Sequence, residues 1–209
     1  MLQHLAALIS PNTEHLSKAD PVMARLVSRL GPFTLKPRQL PPFQSLVQSI
    51  IYQQLSGKAA ATILARFQAL FGDGRFPTPQ EVLAISSERL RSAGLSRPKA
   101  SYVRGVAEHS VAGRLPTLIS CAQLTDAEII ERLTEIKGVG RWTAEIFLMF
   151  NLGRPDVLPV HDLGVRKGFQ IAYGKRALPE PGPLERFGQK WKPHRTTAAW
   201  YLWRAVDSL

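Results

Sequence analysis

The sequence predicts an all-α protein that folds as a compact set of about ten helices. Apolar residues recur at the spacing of amphipathic helices along almost the whole chain. Helix-capping residues stand where these periodic stretches begin. Signals for strands are few, because residues 35–40 and 157–160 could be extended but are interrupted or bordered by prolines.

The first periodic stretches predict two helices joined by a turn at residues 53–58. The apolar stripe before this turn follows Pro41-Pro42 and consists of Phe43, Leu46, Val47, Ile50, Ile51 and Leu55. The stripe after the turn consists of Ile63, Leu64, Phe67, Leu70 and Phe71, and residues 72–74 end it. Four later helices are predicted to start at the caps Thr78, Ser86, Ser96 and Thr125. Glu81 and Glu128 complete capping boxes with the first and last of these caps.

The net charge indicates the kind of binding partner, and the cysteine count excludes several kinds of covalent and metal site. The formal charge of +11 and a pI near 10.3 indicate a polyanionic partner, of which nucleic acid is the commonest. A single cysteine, Cys121, excludes an internal disulfide, a cysteine zinc site and an iron–sulfur cluster. The apolar run LAALI at residues 5–9 is too short for a signal peptide, and no stretch approaches the roughly 20 residues of a membrane span. We therefore expect a soluble, intracellular protein.

Residues 133–150, LTEIKGVGRWTAEIFLMF, predict two helices joined by a glycine hairpin. The first helix is expected to end at Ile136-Lys137 and the second to begin at Arg141, with Gly138-Val139-Gly140 between them. Glycines permit close backbone approach, and the open amides at the start of the second helix suit a phosphate oxygen. A plain corner between two helices would carry the same glycines. The flanking amphipathic helices and the basic charge favour binding to the DNA backbone.

This pattern, over residues 126–150, resembles the helix–hairpin–helix motif. Residues 151–162, NLGRPDVLPVHD, then look like the Gly/Pro-rich loop ending in an aspartate that is typical of the HhH-GPD DNA glycosylase superfamily. Trp142-Thr143-Ala144 and Gln53-Gln54-Leu55-Ser56 are similar to the 3-methyladenine DNA glycosylase II family. Only about 40 residues precede Phe43, so the extra amino-terminal α/β domain of longer members is expected to be missing.

The resemblance implies one domain over residues 1–209, with an active-site cleft between two lobes. Lobe one is expected at approximately 38–120 and includes residues 53–58, which we call the wedge turn. Lobe two is expected at approximately 121–209, with residues 1–37 packed on it.

The resemblance assigns the catalytic role to Asp162. Cleavage of an N-glycosidic bond leaves positive charge on the sugar, and a nearby carboxylate stabilises that charge and can orient or deprotonate water. A predicted helix follows Asp162 directly, and its amino terminus favours the anion. Such a position also suits a simple N-cap. The neighbouring His161 could shuttle a proton or could be an exposed or packed residue.

The resemblance also implies a base pocket formed by Trp142, Ile146 and Trp203. Family members that also cut the backbone carry a lysine where Trp142 stands, so a monofunctional enzyme that uses water is expected. A base alkylated at N3 or N7 is cationic, and the face of a tryptophan attracts a cation. Ile146 departs from the tyrosine of the family at that position. Both tryptophans also lie at helical spacing and could be core residues.

DNA contact is expected from the hairpin and from the wedge turn. By resemblance, Leu55 fills the gap left by a flipped base, while Gln53 or Gln54 contacts the vacated strand, although Leu55 also continues a core stripe. The remaining expected contacts are Lys58, Lys137, Gly138, Val139, Gly140, Arg141 and Thr143.

No cofactor is expected beyond a monovalent cation, Na⁺ or K⁺, which the resemblance implies at the carbonyls of Thr134, Ile136 and Val139. No spacing of His, Asp and Glu indicates a transition-metal site. Glu135 and Glu145, in the hairpin helices, are expected to be solvated.

The function implied is excision of alkylated purines, of the 3-methyladenine and 7-methylguanine type, from double-stranded DNA in base excision repair. The enzyme is expected to act as a monomer, at the nucleoid in a bacterial cytoplasm and away from membranes. The alternatives are a glycosylase for oxidised or mismatched bases on the same scaffold, and a non-catalytic helix–hairpin–helix module. Asp162 distinguishes the non-catalytic module from the two kinds of glycosylase, because a protein that only binds DNA gains nothing from a carboxylate facing a polyanion.

Overall fold

Helices form all of the regular secondary structure in the computed structural model, which describes residues 10–72 and 74–208. Thirteen α-helices occur in that part of the chain: α1 Pro11–Ala19, α2 Pro21–Leu30, α3 Pro42–Tyr52, α4 Gly57–Ala69, α5 Pro79–Ala84, α6 Ser87–Ser92, α7 Arg97–Val111, α8 Leu118–Gln123, α9 Asp126–Thr134, α10 Arg141–Ile146, α11 Leu163–Ala172, α12 Pro181–Phe187 and α13 Arg195–Asp207. A π-helical segment, Phe147–Leu152, continues α10, and a 3₁₀ helix, Gly188–Trp191, continues α12.

The predicted all-α class is confirmed. Residues 35–40 and 157–160 form no strand. Among the described residues, no helix combines the length and the apolar character needed to cross a membrane. The apolar run at 5–9 and residue Asp73 of the 72–74 stop signal lie outside the described residues.

The chain divides into two compact units. One is Arg38–Phe147, and the other combines Met1–Pro37 with Leu148–Leu209. The sequence placed the boundary near residue 120, which differs from this division, because residues 121–147 group with the wedge turn. Two contacts join the hairpin to this unit. Gly138 packs against the Tyr102 ring of α7, and the Gly138 carbonyl accepts a hydrogen bond from Gln53 Nε2.

In the unit Arg38–Phe147, α7 packs against α3, α5 and α6. The predicted stripe of α3 is buried as far as Ile51, whereas Leu55 lies beyond the end of the helix and is 39% exposed. The caps expected from sequence are present: Thr78, Ser86, Ser96 and Thr125 each accept a backbone amide, and Glu81 and Glu128 close their capping boxes.

In the other unit, α11 and α13 pack in close contact. A Cβ at Gly168 would lie 1.9 Å from the carbonyl oxygen of Leu202, so only glycine permits this approach. Asp20, which caps α2, also accepts hydrogen bonds from Tyr173 Oη at 2.5 Å and Trp191 Nε1 at 3.0 Å. These contacts hold the amino-terminal helices on the carboxy-terminal half of the chain.

Candidate active site and DNA-binding elements

Asp162 is the N-cap of α11 and is half-buried. Its Oδ1 accepts a hydrogen bond from the amide of Val165 at 2.8 Å and another from Trp203 Nε1 at 2.7 Å. The carboxylate is therefore fixed from two directions, by its own helix and by α13. The capping role and a catalytic role are compatible, since both hydrogen bonds are accepted by an ionised carboxylate and hold it in one orientation.

The loop that leads to Asp162 is held by the first turn of α13. The Thr196 amide donates to the Pro155 carbonyl at 3.0 Å, and Thr196 Oγ1 donates to the Arg154 carbonyl at 2.6 Å. Arg195 forms an ion pair with Asp156, with Nε 2.7 Å from Oδ1. Sequence reasoning missed both α13 residues, because about 40 positions separate them from the loop.

Trp203 contacts more than the carboxylate. Its ring lies against Phe150 of the π-helical segment, with ring centroids 5.6 Å apart. A Cβ at Gly164 would lie 2.7 Å from Trp203 Cδ1 and 3.0 Å from Asp162 Oδ1. Gly164 is therefore a site residue that the sequence analysis did not identify, and so is Phe150. His161 is exposed on the turn before Asp162.

The hairpin has the geometry expected from its glycines. Gly138 has φ of +91°, which favours glycine, and the Val139 amide closes the turn on the Ile136 carbonyl at 2.9 Å. Val139 and Ile136 are buried beneath the turn, while Lys137 and Gly140 are exposed. A Cβ at Gly140 would meet no atom within 4 Å, so the start of α10 is open to a ligand.

Besides Val139, whose expected DNA contact is at odds with a side chain buried beneath the turn, two more residues expected at the hairpin surface are internal. Glu145 is 2% exposed rather than solvated, because it pairs with Arg141, whose Nε lies 2.9 Å from Glu145 Oε1. Thr143 was expected to contact DNA, but its side chain is 2% exposed and accepts a hydrogen bond from Gln53 Nε2 at 3.2 Å. Its side chain therefore stabilises the hairpin. Glu135 is exposed, as expected.

In the wedge turn, Gln54 and Leu55 project outward and Gln53 does not. Gln54 is exposed with φ of +56°, and Leu55 is too exposed to be a core residue. Gln53 Nε2 donates to the Gly138 carbonyl and to Thr143, so this amide is committed to the hairpin. Lys58 is exposed in the first turn of α4.

The two tryptophans of the expected pocket differ in surroundings. Trp142 is 38% exposed on α10, which excludes a purely core role, and Ile146 on the same helix is half-buried. Trp203 is half-buried and bonded to Asp162. Its position beside the carboxylate was not foreseen.

The residues expected to hold a monovalent cation, Thr134, Ile136 and Val139, lie at the end of α9 and in the hairpin. The Ile136 carbonyl accepts the amide of Val139 and retains a second lone pair. A hard cation takes such oxygen ligands, so the residues are chemically suitable. Over the described residues, no group of three or more His, Cys, Asp or Glu side chains could hold a metal ion.

Comparison with known proteins identifies the family. The profile of the HhH-GPD superfamily of base excision DNA repair proteins matches residues 47–194. DNA-3-methyladenine glycosylase 1 of Schizosaccharomyces pombe is 37% identical over 192 residues, which cover 91% of this chain and 84% of that protein. The alkylbase DNA glycosidase-like protein mag2 of the same yeast is 33% identical, over 91% of each protein.

Solved structures agree with this fold. The S. pombe 3-methyladenine DNA glycosylase Mag1 in complex with abasic DNA superposes with a TM-score of 0.87 at 36% identity, over 96% of this chain and 98% of that one. A DNA-3-methyladenine glycosidase from Bacillus halodurans superposes with a TM-score of 0.84 at 40% identity, over 96% and 91%. This chain therefore belongs to the HhH-GPD superfamily of base excision DNA repair proteins.

Proposed function

We propose that this protein is a monofunctional DNA-3-methyladenine glycosylase that removes alkylated purines in base excision repair and leaves an abasic site. The observation that carries the proposal is the carboxylate of Asp162, fixed by Val165 and Trp203 at the end of the loop that follows the hairpin. The similarity to glycosylases over nine-tenths of the chain supports the same activity.

Asp162 acts on the positive charge of the sugar. When the N-glycosidic bond breaks, its electron pair leaves with the base, and the positive charge spreads over C1′ and O4′. A fixed carboxylate stabilises this charge without reorganisation at the moment of reaction. Water then forms the new bond to C1′ and gives its proton to the Asp162 carboxylate or to solvent, so the products are the free base and an abasic sugar. The hydrogen bonds from Val165 and Trp203 keep Oδ1 in place for this role.

The alkylated base needs little help from an acid, because a base that carries positive charge is already a good leaving group. The exposed ring face of Trp142 is suited to contact the base and to favour its positive charge, and the half-buried Trp203 offers a second aromatic face beside Asp162. Trp142 also stands where a lyase would need a lysine, which supports hydrolysis by water alone. The missing lysine also argues against most glycosylases for oxidised bases. The presence of Asp162 argues against a non-catalytic DNA-binding module.

Double-stranded DNA is the substrate, bound by one monomer. The open start of α10, with Lys137, Gly140 and Arg141 exposed beside it, supports phosphate binding at the hairpin. Leu55 and Gln54 enter the duplex at the flipped base. A monovalent cation at the carbonyls of Thr134, Ile136 and Val139 would add a positive charge next to a phosphate. The nucleoid of a bacterial cell is the expected place of action.

The test is release of base from methylated duplex DNA. The purified protein should release 3-methyladenine or 7-methylguanine and leave alkali-sensitive abasic sites, without cutting the strand before alkali is added. The protein with Asp162→Asn should bind the same DNA and release almost nothing. Strand cleavage by the enzyme itself, or release of oxidised bases only, would contradict the proposal.

A further inference from the structure

Gln54 has a backbone conformation that its side chain does not favour. Helix α3 ends at Tyr52, and the chain turns back at Gln54 with φ of +56°, a left-handed conformation usually taken by glycine or asparagine after a helix. The Leu55 amide closes the turn on the Tyr52 carbonyl at 3.3 Å. A glutamine here must be held by contacts from elsewhere in the fold.

Lys99 supplies such a contact. Its Nζ donates to the Ile51 carbonyl at 2.8 Å and to the Gln53 carbonyl at 2.7 Å. Both acceptors lie at the carboxy-terminal end of α3, where unpaired carbonyls carry partial negative charge and favour a cation. The Lys99 side chain is half-buried, and this burial lowers the pKa of its ammonium from its usual value.

The same element supports the hairpin. Tyr102 lies one turn after Lys99 on α7, and its ring packs where a Cβ at Gly138 would lie, 2.2 Å from Tyr102 Cγ. Gln53 Nε2 then joins the wedge turn to the Gly138 carbonyl at 3.2 Å. One face of α7 thus fixes two elements that sequence alone would treat as separate, both within the unit Arg38–Phe147.

We propose that Lys99 is a positioning residue for base flipping, which holds the wedge turn in the conformation that projects Leu55 and, through Gln53, in fixed relation to the hairpin. This inference rests on the proposed function, since it takes Leu55 as the wedge. Lys99 acts through the carbonyls of Ile51 and Gln53 and does not touch the reacting atoms.

The experiment compares a paired lesion with an unpaired one. Single-turnover excision of 7-methylguanine is measured in a duplex opposite cytosine and in the same strand opposite a tetrahydrofuran abasic analogue. The wedge matters when a stacked and paired base must be displaced, and much less when the lesion has no partner. Lys99→Met, which keeps the aliphatic stem, should lower the rate on the paired lesion about tenfold and on the unpaired lesion by less than about threefold. A loss of folded protein would lower both rates equally.

Three companion variants make the result specific. Lys99→Arg, which retains a cation with several donors, should recover most of the paired-lesion rate. Leu55→Ala should show the same selective loss, and its combination with Lys99→Met should lose little more than either alone, because both act on one element. Lys18→Met removes one positive charge from an exposed side chain on α1, in the other unit, and should leave the ratio of the two rates at the wild-type value.

The outcomes separate this inference from the proposed function. Suppose that Leu55→Ala lowers the rate on the paired lesion selectively, while Lys99→Met leaves the ratio of paired to unpaired rates unchanged. The positioning role of Lys99 is then refuted, and Leu55 remains assigned as the wedge. If Leu55→Ala itself shows no selective loss, the wedge assignment fails and the inference falls with it. Excision dependent on Asp162 would remain in either case.

Discussion

The indole of Trp203 has two neighbours that constrain its function in different ways. Its Nε1 donates to Asp162 at 2.7 Å, and its ring lies against Phe150. A hydrogen bond to a charged acceptor contributes about 1.5–3 kcal/mol, enough to orient a carboxylate that must meet developing charge. Trp203 therefore orients the carboxylate of Asp162, which we propose as the catalytic group.

Replacing Trp203 with phenylalanine tests this role. Trp203→Phe keeps an aromatic ring but removes the donor to Asp162, so single-turnover excision should fall by about tenfold or more. DNA affinity should change little, which gel-shift titration would check. Trp200→Phe, on the same helix but packed against Phe33 and Tyr201, is the matched control and should retain wild-type activity. Equal rates for wild type and Trp203→Phe would mean that the Asp162 contact is dispensable.

At the scale of elements, the hairpin glycines have different functions. Gly138 is required for packing, since its φ is +91° and its Cβ position is filled by Tyr102. Gly140 has φ of −86° and open space around it, so no packing reason requires glycine there. The sequence did not distinguish the two glycines, for both of which it suggested close backbone approach and a positive φ.

The two valine variants should therefore behave differently. Gly140→Val should fold with a melting temperature close to that of wild type but bind undamaged duplex about tenfold more weakly, because the branched side chain blocks the open amides. Gly138→Val should lose stability as well, because the side chain overlaps Tyr102. Thermal unfolding and fluorescence anisotropy on both proteins would distinguish the effects. If Gly140→Val bound DNA with wild-type affinity, the assignment of the hairpin to the DNA interface would be contradicted.

Features determined by residues close together in the sequence, such as helix caps, could be predicted from the sequence. Contacts between distant segments could not. Thr78 and Thr125 lie within three residues of the groups they cap, so their capping boxes were foreseen. The burial of Thr143 depends on Gln53, 90 residues earlier in the chain. The orientation of Asp162 depends on Trp203, 41 residues later. Leu55 was ambiguous because helical periodicity continues past the point where α3 ends.

At the scale of the whole molecule, Asp20 connects segments from both ends of the chain. It is 1% exposed and bonded to Tyr173 and Trp191, with Lys190 Nζ 2.9 Å away. Burial alone would raise the pKa of Asp20, but the hydrogen bonds from Tyr173, Trp191 and Lys190 outweigh it and hold that pKa below its usual value. A carboxyl with a lowered pKa in the folded state stabilises the protein above its unfolded pKa of about 4, and this contribution is lost as pH falls through the folded pKa.

Acid unfolding should therefore depend on Asp20. Asp20→Asn should lower the melting temperature at pH 7 by several degrees, corresponding to about 1–3 kcal/mol. The difference from wild type should begin to shrink below about pH 4, where the Asp20 carboxyl of the unfolded chain binds a proton, and should be lost as pH falls through the lowered pKa of the folded state. Glu14→Gln, which changes an exposed carboxylate on α1, should leave the profile nearly unchanged. If the difference in melting temperature between wild type and Asp20→Asn were constant across the pH range, the ionised form of Asp20 would contribute nothing to stability.

The proposed role of Asp162 in the chemistry is tested by single-turnover excision with Asp162→Asn. Asparagine retains an oxygen that can accept the hydrogen bonds from Val165 and Trp203, so the fold and the cap should persist. Loss of the charge should lower the rate on 7-methylguanine in duplex DNA by at least about 100-fold. Binding should be as tight as wild type or tighter, since a negative charge facing the phosphates is removed. A rate within a few-fold of wild type would contradict the assignment of Asp162 and the mechanism built on it.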